Sequence, residues 1–404
     1  MQPFDPLAPL PGAPDPWVGS GPPSPRPGSP FHMTEMIEAE PALAGRILER
    51  LGDPAGPAAQ LASAVRSAAT GGRPILVVGC GTSEHAAVAI AEILREAARS
   101  AGLPSGLGEP GTPTPVQALE GALEPRLGGP GALVIGISHE GGTWATNRAL
   151  AGAREAGSQV AVVTAAAGSP GAEAAEIVVC TEEMDQSWCH TIGYLSPILA
   201  GAATGAFLSG LPLDSRGVSS LLAAGLIADA TAAIESLAGG LDGIDHLVVL
   251  GSGADRAAAR ELTLKAEEGA HLPAAMRDLE TMLHGHLAAT DARTGLVLVL
   301  ADRSARGART ARALGVLRAC REIGVRVGVI ASEVVATEIE PSLTPAGRVL
   351  VPDAPDLPGT VAALLASAVP LQRLALELAI RRGIDPDPIR RDDPRYLAAA
   401  EAAG

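Results

Sequence analysis

The stretch Glu261 to His286, ELTLKAEEGAHLPAAMRDLETMLHGH, gathers ionisable side chains in a chain otherwise rich in Ala, Leu and Gly. Steps of four and three residues place Glu261, Lys265 and Glu268 on one helical stripe. Lys265 beside Glu268 would hold that carboxylate ionised. The stretch reads as one long helix followed by a turn that presents His284. A carboxylate and a histidine together can move protons on and off a sugar or keto acid at neutral pH. Taken alone, the stripe reads rather as a solvated helix face whose pairs contribute about 0.2–0.5 kcal/mol each.

The elements around it shift that balance. PILVVGCGTSEHAAVAIAEILREAARSAG is a short apolar run, a Gly turn and an amphipathic helix. The run has the character of a buried parallel strand. The turn GCGTS sets Cys80, Gly81, Thr82 and Ser83 at a helix N-terminus, where backbone N–H groups favour an anionic or hydroxyl-rich ligand. GALVIGISHEGGTWATNRALAGAREAG repeats the unit, and QVAVVT and EIVVC start two further strands. After Asp214 the pattern is helical to about Leu237. A second series then follows: HLVVLGSGADR, GLVLVLADRSARGA, VRVGVIAS and GRVLVPD. An internal duplication of α/β units predicts two doubly wound, mostly parallel sheets flanked by helices. The expected organisation is a disordered Pro/Gly-rich leader over 1–32 and N-terminal helices over 33–73. A first α/β domain covers 74–213, a helical linker 214–244 and a second domain 245–384. A tail, 385–404, closes over the site.

Composition narrows the function. A net charge of −15 over 404 residues argues against nucleic acid or an anionic membrane as partner. No apolar run reaches the roughly 18 residues of a membrane span without interruption. The N-terminus lacks the basic start and apolar core of a signal peptide. Cys80, Cys180, Cys189 and Cys320 show no CxxC spacing, which suits a reducing cytoplasm. Cys80 reads as a small packed residue. GSGADR lacks the third Gly and later acid of a dinucleotide fingerprint. His284–Gly285–His286, with His139 and His190 on candidate loops, is short of a metal set in spacing. His271 reads as structural.

Five motifs in order carry a resemblance: GCGTS (79–83), IS-x-x-G-x-T (137–143), E-x-x-L-K-x-x-E (261–268), HG (284–285) and DxPRxLA (392–398). From Met33 to Leu397 the chain resembles the double-domain sugar isomerase (SIS) family, in the layout of the isomerase half of glucosamine-6-phosphate synthase and related sugar-phosphate isomerases and deaminases. The resemblance implies an α/β fold of two tandem SIS domains and proton shuttling between C1 and C2 of a sugar or sugar phosphate, with no cofactor. Glu268 matches the family's proton-carrying glutamate. His284 matches the ring-opening histidine, which the neighbouring subunit of a homodimer supplies. Cys80, Gly81, Thr82, Ser83, Ser138 and Thr143 match the substrate loops, to which His139, Glu140, Ser187, His190 and Lys265 are added as candidate contacts. No glutaminase domain precedes the motifs, so ammonia transfer from glutamine is not expected.

Three departures stand out. Glu140 replaces a serine of the phosphate loop and would repel a phosphate: either it turns away, or the ligand there is not a phosphate ester but a hydroxyl-rich or amine-bearing one. Ala399 stands where the synthase has its Schiff-base lysine. Ser187–Trp188–Cys189–His190–Thr191 puts Trp and His where small polar residues are usual. The rival reading is a ligand-sensing SIS protein without turnover.

Overall fold

In the computed structural model, residues 4–12, 22–124 and 126–403 are described. Two N-terminal helices, α1 (His32–Leu51) and α2 (Pro57–Thr70), precede the first sheet. Its strands are β1 (Ile75–Gly79), β2 (Pro113–Gln117), β3 (Leu133–Ile137), β4 (Gln159–Thr164) and β5 (Ile177–Cys180). They alternate with α3 (Thr82–Ser100), α4 (Ala118–Leu123), α5 (Trp144–Glu155) and α6 (Pro170–Ala174), and α7 (Ile192–Ser209) closes the series. Helices α8 (Ser215–Ala223) and α9 (Ala228–Gly240) lead to the second half.

That half repeats the first. Its strands are β6 (His246–Gly251), β7 (Ala274–Asp278), β8 (Thr294–Leu300), β9 (Arg326–Ser332) and β10 (Gly347–Val351). Its helices are α10 (Asp255–Ala270), α11 (Leu279–Leu283), α12 (Arg306–Ile323), α13 (Glu333–Ala336) and α14 (Gly359–Arg381), with α15 (Pro394–Ala403) in the tail. The sheet orders, β2-β1-β3-β4-β5 and β7-β6-β8-β9-β10, are the same pattern read twice. Every strand pair is parallel. The duplication and the two doubly wound sheets are therefore as the sequence implied.

In such a sheet the strand order reverses beside its first strand, and ligands sit at the strand C-terminal ends there. Those ends carry the 79–83 and 138–143 loops in one half and the 251–255 and 300–306 loops in the other. The central strands form because buried parallel strands need uninterrupted apolar runs; all five residues of β3 and all seven of β8 are buried.

Three expectations change. The stretch 261–286 is not one helix: α10 stops at Ala270, His271 adopts φ 47°, and the chain enters β7 and then the short α11. Pro273 cannot continue a helix. Two helices, Ile192–Ser209 and Gly359–Arg381, have the length and apolar composition of a membrane span, and 83% of the apolar stretch of each is buried within the protein. Scattered Gly, Ser and Thr interrupt these runs, yet their mean hydropathy stays at 1.3 and 1.5. In the leader, residues 1–3 and 13–21 lie outside the described set, but the described parts are held. Leu10 is buried and its N–H reaches Glu183 Oε2 at 3.0 Å, while Arg26 pairs with Glu35 at 2.6 Å.

Gly79 ends β1 where α3 crosses it. A Cβ there would lie 2.2 Å from Ser83 O, whereas one at Gly152 in α5 meets nothing within 4 Å. Gly79→Ala should lower stability by about 1–3 kcal/mol. Gly152→Ala should be neutral or stabilising by up to about 1 kcal/mol, both read by urea denaturation.

Candidate active site

Helix α10 of the second half packs against α3 of the first. Lys265 on it is fully buried, and its Nζ lies 2.5 Å from Glu268 Oε2 and 3.6 Å from Glu261 Oε1. It is the only lysine in the sequence. Burial works against its charge, yet the two glutamates outweigh burial and push its pKa up. Glu261 is equally buried and also meets His85 Nδ1 on α3 at 2.7 Å, with Thr82 Oγ1 donating at 3.4 Å. Glu268, 26% exposed, is the member of the set that reaches solvent.

It reaches it in a cleft of about 280 Å³ lined by Cys80, Thr82, Ser83, His139, Glu140 and Thr143 from the first domain's loops. Trp188, His190, Ile389 and Arg391 complete the lining. Gly81 carries φ 59° at the turn before α3, and no side chain caps that helix. Its first N–H groups and the Thr82 and Ser83 hydroxyls are disposed to meet an oxygen-rich ligand. Cys80 is exposed rather than packed, and partial burial and the Glu84 charge push its thiol up, away from thiolate.

Two imidazoles form the cleft's back wall, with ring centroids 5.4 Å apart. Burial pulls His139 down to about 4, so the ring is neutral at neutral pH. Its Nε2 accepts from the Asp185 N–H at 3.1 Å. His190 is lowered by burial and by the neighbouring His139, Lys265 and Arg391. Asp185 accepts from Gly193 N–H at 2.6 Å and Thr191 N–H at 3.3 Å. Burial, only partly offset by these bonds, pushes it up to about 7.

Of the sequence candidates, Cys80, Thr82, Ser83, His139, Glu140, Thr143, His190 and Glu268 converge on the cleft. Lys265 stands behind Glu268. Ser138 is buried and donates to Thr143 Oγ1 at 3.4 Å, which braces that loop. Ser187 is buried and accepts from Cys189 N–H at 3.1 Å, a local turn contact rather than a ligand position. His284 is elsewhere: its side chain is 71% exposed at the end of α11 and binds Glu280 at 2.7 Å. His286 accepts from Arg277 Nε at 3.2 Å. Arg391, whose guanidinium lies 5.1 Å from the Trp188 ring, is the cation the sequence reading missed. Its only signal was the tail's run of arginines.

No family model matches the chain. It is 27% identical over 344 residues to a glutamine–fructose-6-phosphate aminotransferase (isomerizing) of Pyrobaculum aerophilum, covering 83% of this chain and 52% of the relative. The chain spans about half the length of the curated relatives it matches. The solved C-terminal domain of the Francisella tularensis glucosamine-fructose-6-phosphate aminotransferase superposes with a TM-score of 0.74 at 17% identity, covering 90% of this chain and 99% of that one. The Escherichia coli tagatose-6-phosphate ketose/aldose isomerase gives 0.68 at 18% identity, over 91% and 97%. This is the double SIS fold. The resemblance drawn from five short motifs thus extends to the whole architecture.

Lys265→Met would leave Glu261 buried without its ammonium partner. It should cost about 3 kcal/mol or more, and Glu261→Gln on top of it should recover part of the loss. Chemical denaturation of the single and double variants checks this.

Proposed function

We propose that the chain is a sugar isomerase or amino-sugar isomerase/deaminase, acting on a (phospho)sugar by moving a proton between C1 and C2. The observation that carries this reading is Glu268. It is a carboxylate anchored by a buried lysine and turned to a cleft of monosaccharide size, about 280 Å³. In the open-chain sugar a C–H beside the carbonyl is acidified by it. Glu268 takes that proton and the electron pair forms an enediolate, which gains a proton on the former carbonyl oxygen. The neighbouring hydroxyl then gives up its proton as Glu268 returns the first one to the adjacent carbon. In the isomerase only protons move; on a 2-amino sugar the same transfer gives a C2 imine, which water hydrolyses to the ketose and ammonia, and neither route calls for a cofactor. Thr82, Ser83, Thr143 and the α3 N-terminus would hold the substrate's oxygens, and Arg391 is the one cationic side chain in the lining.

The tail has no lysine, and Lys265 is enclosed in ion pairs, so no Schiff base enters the reaction. The ring-opening role falls to His284 of a second subunit, in a homodimer with composite sites. Its exposure, 71%, and its absence from the lining of its own chain's cleft support that arrangement. A cytoplasmic setting is supported by four free cysteines. Glu140 in the lining favours a second reading, an isomerase for an unphosphorylated or amine-bearing sugar.

The test is solvent exchange at C2, followed by NMR in deuterated water, over sugars and amino sugars with and without a 6-phosphate. One of them should exchange, and Glu268→Gln should slow that exchange about a thousandfold while leaving binding intact. Thermal stabilisation by a panel member with no exchange would overturn the enzyme reading in favour of a sensor. The phosphorylated and plain members decide between the two substrate readings.

A further inference from the structure

The duplication builds a second cleft. Gly251 ends β6 as Gly79 ends β1: a Cβ would lie 2.4 Å from Asp255 O at the one and 2.2 Å from Ser83 O at the other. Gly253, φ 64°, repeats Gly81, φ 59°. Glu96 on α3 and Glu268 on α10 each stand seventeen residues past their turn glycine, so Glu96 is the counterpart of the proposed proton carrier. Glu96 lines a cleft of about 1260 Å³, formed by the 252–256 turn, the 302–309 loop and the length of α3.

Its chemistry differs from the first cleft's. Glu96 accepts from Gly359 and Thr360 N–H, both at 2.8 Å, and so caps α14. Asp302 accepts from Ala254 N–H at 2.9 Å, which fills the turn that is open in the first half. What remains is arginine. Arg95, Arg99, Arg256, Arg260, Arg303 and Arg309 face the cleft against five carboxylates, in a chain with 45 acidic and 30 basic residues. Three carboxylates each pair with one arginine: Glu92 with Arg95, Asp278 with Arg256, Glu84 with Arg260. Asp302 meets Arg309 at 2.7 Å, and Glu96 is engaged by main-chain N–H groups. Among the described residues this leaves Arg99 and Arg303 with no carboxylate. Arg303 is held in place by the carbonyls of Ala354 and Leu357.

We propose that this larger cleft binds a phosphorylated small molecule carrying two or more anionic groups. Forked guanidinium donors fit phosphate oxygens in pairs, and unmatched arginines lie on two walls, Arg99 at the end of α3 and Arg303 in the loop before α12. This binding is independent of the reaction proposed for the first cleft.

The experiment is calorimetric titration of the full chain with inorganic pyrophosphate, and with inorganic phosphate for comparison, at low salt. Pyrophosphate should bind more tightly than phosphate. Arg99→Gln, which removes no side-chain bond found among the described residues, and Arg303→Gln should each weaken it about tenfold. Thr143→Ala in the first cleft, and Arg154→Glu on the exposed end of α5, should leave it unchanged. No binding to the parent chain would overturn the proposal. So would weakening by Thr143→Ala alone, or equal weakening by Arg154→Glu, which marks a diffuse surface effect.

Discussion

A buried lysine needs its counter-charges fixed. Moving an ion out of water costs several kcal/mol even after relaxation, and removing one partner leaves that cost uncompensated. Lys265 meets this requirement between Glu261 and Glu268. Glu261 in turn holds His85 and Thr82 on α3. The ionic set therefore ties the first domain's glycine-turn helix to the second domain's α10. It fixes Glu268 relative to the 79–83 turn, on which any substrate held by that turn would depend. Positioning of this kind, within a few tenths of an ångström, is how a scaffold contributes to catalysis.

Duplication supplies the frame, and divergence separates the two clefts. Both halves offer a Gly turn, a helix N-terminus and a glutamate on the opposing helix. In the second half Asp302 and the start of α14 consume the turn and the glutamate. In the first half the turn stays open and the glutamate is buttressed by a lysine. Position 93, the counterpart of Lys265 on α3, is Ile93, 2% exposed. The second cleft thus lacks the ion that would hold a shuttling carboxylate ready.

Much of this was legible in the sequence, for physical reasons. Eight of the ten strands announce themselves by apolar runs, six because central strands buried on both faces must be continuously apolar, and two, β5 and β10, as edges that keep such runs. The two that do not, PTPVQ of β2 and AAMRD of β7, are edge strands with one neighbour each. There prolines and charges are tolerated and the apolar signal fades. Glycine turns and the Glu–Lys–Glu stripe were readable from spacing alone. Ile389 and Arg391 were not, because the tail's course is set by distant contacts: Asp387 accepts from the His32 and Met33 N–H groups that open α1, and its carbonyl accepts from Trp188 N–H. His284 entered only through family resemblance, and within one chain nothing draws it toward Glu268.

The central claim is that Glu268 addresses the reacting carbons of a sugar. The most direct measurement is a crystal structure with an acyclic polyol phosphate, which mimics the open-chain substrate and cannot react. The account predicts the polyol in the cleft beside Thr82 and Ser83, with its C1 and C2 about 3–3.5 Å from a Glu268 carboxylate oxygen. A polyol bound there with Glu268 turned away into its Lys265 pair, and no carboxylate near C1 or C2, would contradict it.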